Sequence, residues 1–333
     1  MNSRMGKERP SGDTPLSLPR LLTPHLEELI SRNPGGPVAR QFEPCPQEEF
    51  ILPQEDADPL DEASHSPVPR LVHRYRDRAL VLVTGRCAAY CRYCFRRSVT
   101  ASRLRPVSDS ELDAIEAYLE SHPEIHELLL SGGDPLTLGD SRLFGIMSRF
   151  RRQSEQRVLR LATRMPVVNP DRITGQFISG CRDLFPVWMV IQCNHADELT
   201  GDTADALMRC VRSGIPVISQ TVLLNGVNDS VEALKALFQR LIELGVKPYY
   251  LFQGDLAEGT SHFRVPLARG VRLVTELRAR ISGLAMPVYA VDLPGGGGKI
   301  PLTESYFVDE TEHAYRFRSV DGSFHEYPKE TGV

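Results

Sequence analysis

Lysine is scarce in this chain of 333 residues: among 39 basic residues only Lys7, Lys235, Lys247, Lys299 and Lys329 are lysine, and the other 34 are arginine. Genomic base composition can produce such a bias, so the arginine excess assigns no function. It does make each lysine informative, because a guanidinium cannot give up its proton to act as a nucleophile and an amine can. Excess charge of either sign is lacking too. The net charge of −4 gives no reason to invoke nucleic acid or a membrane surface. No apolar run reaches the length of a spanning helix, and the N-terminus lacks the apolar stretch of a signal peptide. A cytoplasmic protein is therefore expected. Nor is there a disulfide framework. The seven cysteines are odd in number, and the crowding of three of them suits metal ligation in a reducing compartment. Cys45, Cys181, Cys193 and Cys210 are scattered and are expected as buried free thiols.

The crowded run is Cys87-Ala-Ala-Tyr-Cys91-Arg-Tyr-Cys94, three thiols in a short loop with no obvious fourth ligand. A structural zinc knuckle needs a fourth Cys or His, and the nearest candidates, His73 and His122, lie outside the loop. A redox dithiol is the other plain reading. Spacing favours an iron–sulfur cluster in which one iron keeps a position open for a small molecule.

The chain is long enough for one large α/β domain or two smaller ones. Residues 1 to about 16 are polar and rich in Pro, Gly and Ser, so a disordered tail is expected. Leu21 to Arg32 has helical period, and Pro44 to Pro69 reads as an extended, acidic stretch that wraps the domain. Strand-like runs then fall at Ala79–Thr84, Glu127–Ser131, Val158–Thr163, Val187–Cys193, Val217–Leu223 and Pro248–Phe252. They alternate with helical patterns near 108–121, 141–152, 171–184, 203–213, 231–244 and 270–283. Six β/α units point to a parallel sheet. Pro287 to Asp292 reads as one more strand, and Tyr306 to Tyr327 as a closing β-hairpin turning at Asp321-Gly322. The expected division is an arm at 1–70, a core at 71–285 and a C-terminal segment at 286–333. The cysteine loop, Gly132-Gly133-Asp134, Asn194-His195 and Asp255 all follow strands, at the carboxyl end where parallel sheets build active sites.

Two more segments stand out. Ser131-Gly-Gly-Asp-Pro-Leu136 has the form of a strand-to-helix turn, and its glycines would also let a ligand approach the backbone. In Asp292-Leu-Pro-Gly-Gly-Gly-Gly-Lys299, four glycines precede one of the few lysines. A mobile loop that delivers one amine to an aldehyde would justify that run, a flexible surface loop being the plain alternative.

The CxxxCxxC spacing resembles the signature of radical S-adenosylmethionine (SAM) enzymes, and Cys91-Arg-Tyr-Cys-Phe-Arg-Arg97 resembles the version found in lysine 2,3-aminomutases. Ser131–Leu136, Asn194-His195, Gln220–Asp229, Tyr249–Asp255 and Asp292–Lys299 resemble further segments of that family in the same order, so that the likeness covers roughly residues 65 to 328. It implies an α/β fold, a radical SAM partial (β/α)6 barrel with an N-terminal helical and extended arm and a C-terminal β-hairpin. It implies three cofactors: a [4Fe-4S] cluster on Cys87, Cys91 and Cys94, SAM, and pyridoxal 5′-phosphate (PLP) in Schiff-base linkage to Lys299. Gly132, Gly133 and Asp134, with Asn194, His195 and Gln220, would face SAM. Arg74, Tyr75 and Arg78 would neutralise the PLP phosphate, Arg78 foremost, although an arginine-rich solvated turn reads the same way. Arg96 would hold the substrate carboxylate, and Asp255 and Asp292 the side-chain ammonium of L-lysine. The implied reaction is the 2,3-migration of the amino group to give β-lysine through a 5′-deoxyadenosyl radical.

Alternatives of substrate and role stay open at this level. The same chemistry on another amino acid such as glutamate is one. Supply of β-lysine for translation-factor modification is a second, and a non-catalytic metal or PLP carrier a third. An electron donor such as flavodoxin or ferredoxin is an implied partner. The family's longer members carry a zinc-binding C-terminal extension that is not found here, which leaves homo-oligomer formation open.

Overall fold

The computed structural model describes residues 18–101 and 104–330; the polar tail read at residues 1–16 lies outside them. Seven strands run parallel: β2 (Arg78–Thr84), β3 (Glu127–Gly132), β4 (Val158–Thr163), β5 (Val187–Gln192), β6 (Val217–Leu223), β7 (Lys247–Gln253) and β8 (Val288–Leu293). They pair in sequence order, and an antiparallel strand closes each flank, β1 (Leu71–Tyr75) beside β2 and β9 (Gly298–Pro301) beside β8. One curled nine-stranded sheet results, the partial barrel that the resemblance implies.

Helices α4 (Asp109–Glu120), α5 (Asp140–Gln153), α7 (Gly175–Asp183), α8 (Gly201–Arg212), α9 (Val231–Glu243) and α10 (Leu267–Arg278) are the crossovers. Their starts follow from capping chemistry. Ser108 and Glu111 form a reciprocal capping box at α4, and Thr174, Thr200 and Ser230 cap α7, α8 and α9. Thr174 also explains a correction: the pattern read over 171–184 is a 3₁₀ turn at Pro170–Arg172 and then a separate helix. The convex helices and the sheet enclose a core of Leu, Ile, Val, Met and Phe side chains, among them Leu112, Phe150, Met189, Phe177 and Phe238, all buried.

Two strands were not legible in the sequence. β1 is the arginine-rich stretch read as a phosphate-binding turn, and Arg76-Asp77 turns it back along β2. β9 is the segment after the glycines. The C-terminal sheet also gains a strand, since β10 (Phe307–Glu310) pairs with β11 (Ala314–Arg318), which forms the expected hairpin with β12 (Phe324–Pro328).

The arm holds the remaining helices apart from two short ones beside the site, α3 (Arg97–Ala101) and α6 (Met165–Val168). It comprises α1 (Pro24–Arg32), α2 (Pro37–Phe42) and two 3₁₀ turns at Pro46–Glu49 and Ala63–His65. Its hold on the barrel is apolar, with Leu26, Leu29, Val38 and Phe42 joining the barrel core, and also ionic. Glu48, 1% exposed, takes Nε of Arg92 at 2.8 Å, Nη2 of Arg92 at 2.5 Å and Nη2 of Arg97 at 2.6 Å. Arg92 also donates to the carbonyl of Leu18 at 2.8 Å. Removing one partner of a buried ion cluster strands the others, at a cost of about 3–5 kcal/mol. Glu48→Gln is therefore expected to lower stability by about 3 kcal/mol, seen as a fall in the urea midpoint; an unchanged midpoint would mean that the arm is held by its apolar contacts.

Candidate active site

At the carboxyl ends of the strands lies a cavity of about 350 Å³, and most of the residues singled out by sequence line it. Cys87, Cys91 and Cys94 form one wall, on the loop between β2 and α3. Burial pushes the Cys87 thiol above its ordinary range, with the charges of Cys94 and Asp134 adding to the effect. Burial and the charge of Cys91 push Cys94 up to about 11. Such thiols stay protonated at neutral pH and become ligands only to a metal that displaces the proton. Among the described residues no three His, Cys, Asp or Glu side chains converge on a single ion; the three thiols share one wall, where Cys87 and Cys94 sense the charge of Cys91. Three soft sulfur donors without a fourth protein ligand fit an iron–sulfur cluster with one open iron.

Arg164 was missed by sequence reasoning, hidden in a chain full of arginine. It lies just past β4, buried, and donates from Nη1 to Sγ of Cys91 at 2.9 Å and also to the Tyr93 hydroxyl. Its Nη2 reaches Oε1 of Gln41 at 2.6 Å and Oε2 of Glu198 at 2.5 Å.

The Gly132-Gly133 turn reads differently once seen in place. A Cβ on Gly132 would stand 2.0 Å from the Thr84 carbonyl oxygen, and one on Gly133 2.2 Å from that of Arg86. The glycines admit the protein's own cysteine loop, fastened by Gly133 N to Thr84 O and Asp134 N to Arg86 O, both 2.7 Å. Both still line the cavity, as does Gln220. Asp134 reaches it too, but its buried carboxylate accepts from Thr163 Oγ1 at 2.7 Å, Arg164 N at 2.8 Å and Leu136 N at 2.9 Å, which gives it an internal task.

Asn194 and His195 stand outside the cavity lining. Asn194 is wholly buried, donating to Gln41 Oε1 at 2.9 Å and accepting from Val222 N at 2.9 Å. His195 accepts from Asp197 N at 3.2 Å as the cap of a 3₁₀ turn. Of the scattered thiols, Cys181, Cys193 and Cys210 are buried as expected. Cys45 is only partly so and lies 3.3 Å from Nε2 of His262.

Lys299 enters from the far side. The glycine run is a hairpin turn between β8 and β9, with Gly295, Gly296 and Gly298 at φ of +64°, +78° and +87°, where only glycine is free of strain. This corrects the expectation of a mobile loop: the turn sets Asp292 directly across from Lys299 in the antiparallel register. Their side chains pair, Nζ to Oδ2 at 2.5 Å. The amine lies 4.1 Å from the Phe252 ring centre, and the Lys299 backbone N–H donates to the Tyr75 hydroxyl at 3.1 Å. Asp255, after β7, faces the same space. Burial first, and the Asp292 charge second, push its carboxyl up to about 7.

Arg74, Tyr75 and Arg78, from β1 and the start of β2, line the cavity as the resemblance implies. Arg78 stacks on the Tyr75 ring at 4.1 Å. Nε and Nη2 of Arg74 are shut off from solvent with no hydrogen-bond partner among the described residues. Buried, unpaired guanidinium nitrogens fit a phosphate, which would satisfy them. Arg96 pairs with Glu62 of the arm, a residue that sequence reasoning left inside a featureless acidic stretch.

The chain is similar in sequence and fold to known proteins. The family model "Lysine-2,3-aminomutase" matches residues 274–332, and that of the radical SAM superfamily residues 81–238. The chain is 40% identical over 314 residues to an L-lysine 2,3-aminomutase of Bacillus subtilis, covering 94% of this chain and 67% of that protein. It is 38% identical over 302 residues to an L-lysine 2,3-aminomutase of Acetoanaerobium sticklandii, covering 90% and 73%. Among solved structures, a radical SAM methyltransferase from Sphaerobacter thermophilus superposes with a TM-score of 0.50 at 22% identity, over 66% of this chain and 68% of that one, a likeness of fold alone.

The acid pair gives the site a titration. Below pH 7 Asp255 takes up a proton and loses its attraction for a cation, so binding of an alkyldiammonium ligand is expected to weaken as pH falls, approaching tenfold per unit. Asp255→Asn is expected to flatten that dependence, as measured by calorimetric titration between pH 5.5 and 8; a slope kept in the variant would place the titrating group elsewhere.

Proposed function

The chain belongs to the lysine 2,3-aminomutase family, and from that premise we propose that it is an isomerase converting L-lysine to β-lysine by moving the amino group from C2 to C3. The observation that carries the choice of substrate is the pair of carboxylates, Asp255 and Asp292, in the cavity that also holds Arg96. A ligand with a carboxylate at one end and an ammonium at the other complements this arrangement. Glutamate would set a second carboxylate of its own against the two aspartates and bring no cation to meet them.

Cys87, Cys91 and Cys94 would hold the cluster, and Gly132, Gly133 and Gln220 the SAM side of the cavity. Asp134, Asn194 and His195 would support that side from behind. Arg74, Tyr75 and Arg78 would take the PLP phosphate. When bound, these groups supply one-electron chemistry from the cluster and SAM, and from PLP a carbonyl that takes up amines beside a ring that spreads unpaired spin.

The protein's own part can be followed atom by atom. In the free site the Lys299 ammonium neutralises Asp292. To act as a nucleophile Nζ must lose its proton, and Asp292 then loses its counter-ion. The ε-ammonium of the substrate replaces that charge, so the two carboxylates see one cation before and after. The rings of Phe252 and Tyr250 stand 4.1 and 5.5 Å from the Lys299 amine, where they would limit the access of water to the reacting carbons. Arg164 keeps a positive charge against Cys91, a hydrogen bond of the kind that sets how readily a cluster accepts an electron. A one-electron donor protein such as flavodoxin or ferredoxin belongs to the proposal, as does association with a second copy of the chain.

The deciding experiment incubates the reconstituted protein without oxygen, with PLP, SAM, a strong reductant and carbon-labelled L-lysine or L-glutamate. β-Lysine is expected by NMR, with its formation lost in Lys299→Ala and Cys91→Ala. Turnover of glutamate in place of lysine would overturn the substrate assignment, and a protein that binds both cofactors without cleaving SAM would overturn the enzyme reading.

A further inference from the structure

Glu62 lies on the arm, outside the barrel, yet its carboxylate stands in the cavity wall beside Arg96. The contact uses one edge of the guanidinium. Nε donates to Oε2 at 2.9 Å and to Oε1 at 3.2 Å, and Nη2 donates to Oε1 at 2.5 Å. Ser131, on β3, takes one hydrogen of Nη1 at 3.2 Å. A guanidinium carries five N–H bonds in a planar fork. Two of them remain, one on Nη1 and one on Nη2, with no further partner among the described residues. The edge those two nitrogens share is the end-on edge, which receives both oxygens of a carboxylate. The Phe95 ring, 4.6 Å from the guanidinium carbon, packs against its face and limits its tilt.

We propose that Glu62 is a positioning residue: by holding the Nε–Nη2 edge of Arg96 it turns the Nη1–Nη2 edge to the cavity as the receptor for the substrate α-carboxylate. The proposal rests on the amino-acid reading given above and adds to it the residue that orients the receptor. It also makes the arm part of the active site, because the carboxylate receptor is complete only when the arm lies against the barrel.

The surrounding charges give Glu62 a second reason to be there. Besides Arg96, it feels the charge of Arg74, whose unpaired nitrogens suit a phosphate. Asp255 and Cys94 also act on Arg96. Without Glu62 two free guanidinium groups would face two anions, and either could take either. With Glu62 on Arg96, the more strongly positive place is Arg74, which suits the doubly charged phosphate, and Arg96 keeps a fork matched to a planar carboxylate.

The test compares two ligands on the reconstituted protein, L-lysine and 1,5-diaminopentane, the same ligand without its carboxylate. Anaerobic calorimetry with Glu62→Gln and Glu62→Ala is expected to show the Kd for L-lysine raised tenfold or more while that for the diamine stays within twofold. Equal weakening of both ligands would reduce Glu62 to general support of the site and overturn the proposal. Unchanged or tighter binding of lysine would also overturn it, since Glu62 would then be a placeholder that the substrate displaces. Retained PLP absorbance and far-ultraviolet dichroism confirm that a variant is folded, and Glu62→Gln keeps the comparison available if the alanine variant is not. Should the wild type take another amino acid, the lysine reading falls; the same comparison, run with that acid and its decarboxylated amine, still decides the role of Glu62.

Discussion

A single carboxylate, Glu48, holds the cysteine loop in place. Cys87 to Cys94 contains no helix or strand, and a loop of that length has no reason of its own to keep three thiols on one wall. Arg92, between the second and third cysteines, is wholly buried and would be intolerable without counter-charge. Glu48 supplies it, and Arg97, at the start of α3, shares the same oxygen. The loop is thereby fixed at both ends of its last turn by a residue from the arm. Arg164 extends this lattice inward. It joins Cys91 to Gln41 of α2 and to Glu198, and Glu198 in turn accepts from the backbone N–H groups of Asn194 and His195. Arm, cysteine loop and the ends of β4 and β5 are thus one polar network directly behind the reactive cavity, in which only Nε of Arg164 has no partner among the described residues.

On the opposite side the constraint is covalent geometry. A four-residue turn between β8 and β9, possible because glycine accepts positive φ, fixes Lys299 opposite Asp292. The same residue that neutralises the lysine amine is therefore one of the two that would receive the substrate ammonium. The charges at this end are arranged for exchange of one cation by another. Those at the other end, where Glu62 holds Arg96, are arranged for permanence. A site that grips a zwitterionic amino acid along its length needs both.

Most of the residues that line the candidate site were legible in the sequence and their supports were not, for a physical reason. Cysteine spacing, a glycine run before a rare lysine and apolar alternation are local patterns, and local patterns survive in one dimension. The six β/α units and the carboxyl-end location of Cys87, Asp134 and Asp255 followed from them. Glu48, Glu62 and Arg164 act through partners 30 or more residues away, in the pairs Arg92–Glu48, Arg96–Glu62 and Arg164–Cys91, and nothing in their own neighbourhoods marks them. The glycines at 132 and 133 show the opposite fault. Their signal was read correctly as close approach, but the group that approaches is the backbone of Thr84 and Arg86. β1 was missed because His73 and Arg74, on a five-residue strand that lines a charged cavity, break the apolar alternation by which strands are recognised.

The arm then takes on a meaning that its sequence conceals. An acidic, proline-dotted stretch suggests a solvated wrapper, but three of its carboxylates are placed singly against arginines of the barrel: Glu48 on Arg92 and Arg97, Glu55 on Arg264, Glu62 on Arg96. These contacts run from the base of the cysteine loop to the cavity wall. A wrapper held by exposed pairs would gain little from each. Here every one of these carboxylates is at most 17% exposed, where losing a partner is costly and geometry is therefore enforced. The arginine-rich composition thus fits an architecture in which the active site is assembled from two pieces of chain by buried ion pairs, whatever first produced the bias. Arginine suits that task better than lysine, because its planar fork can satisfy an arm carboxylate on one edge and present the other edge to a ligand.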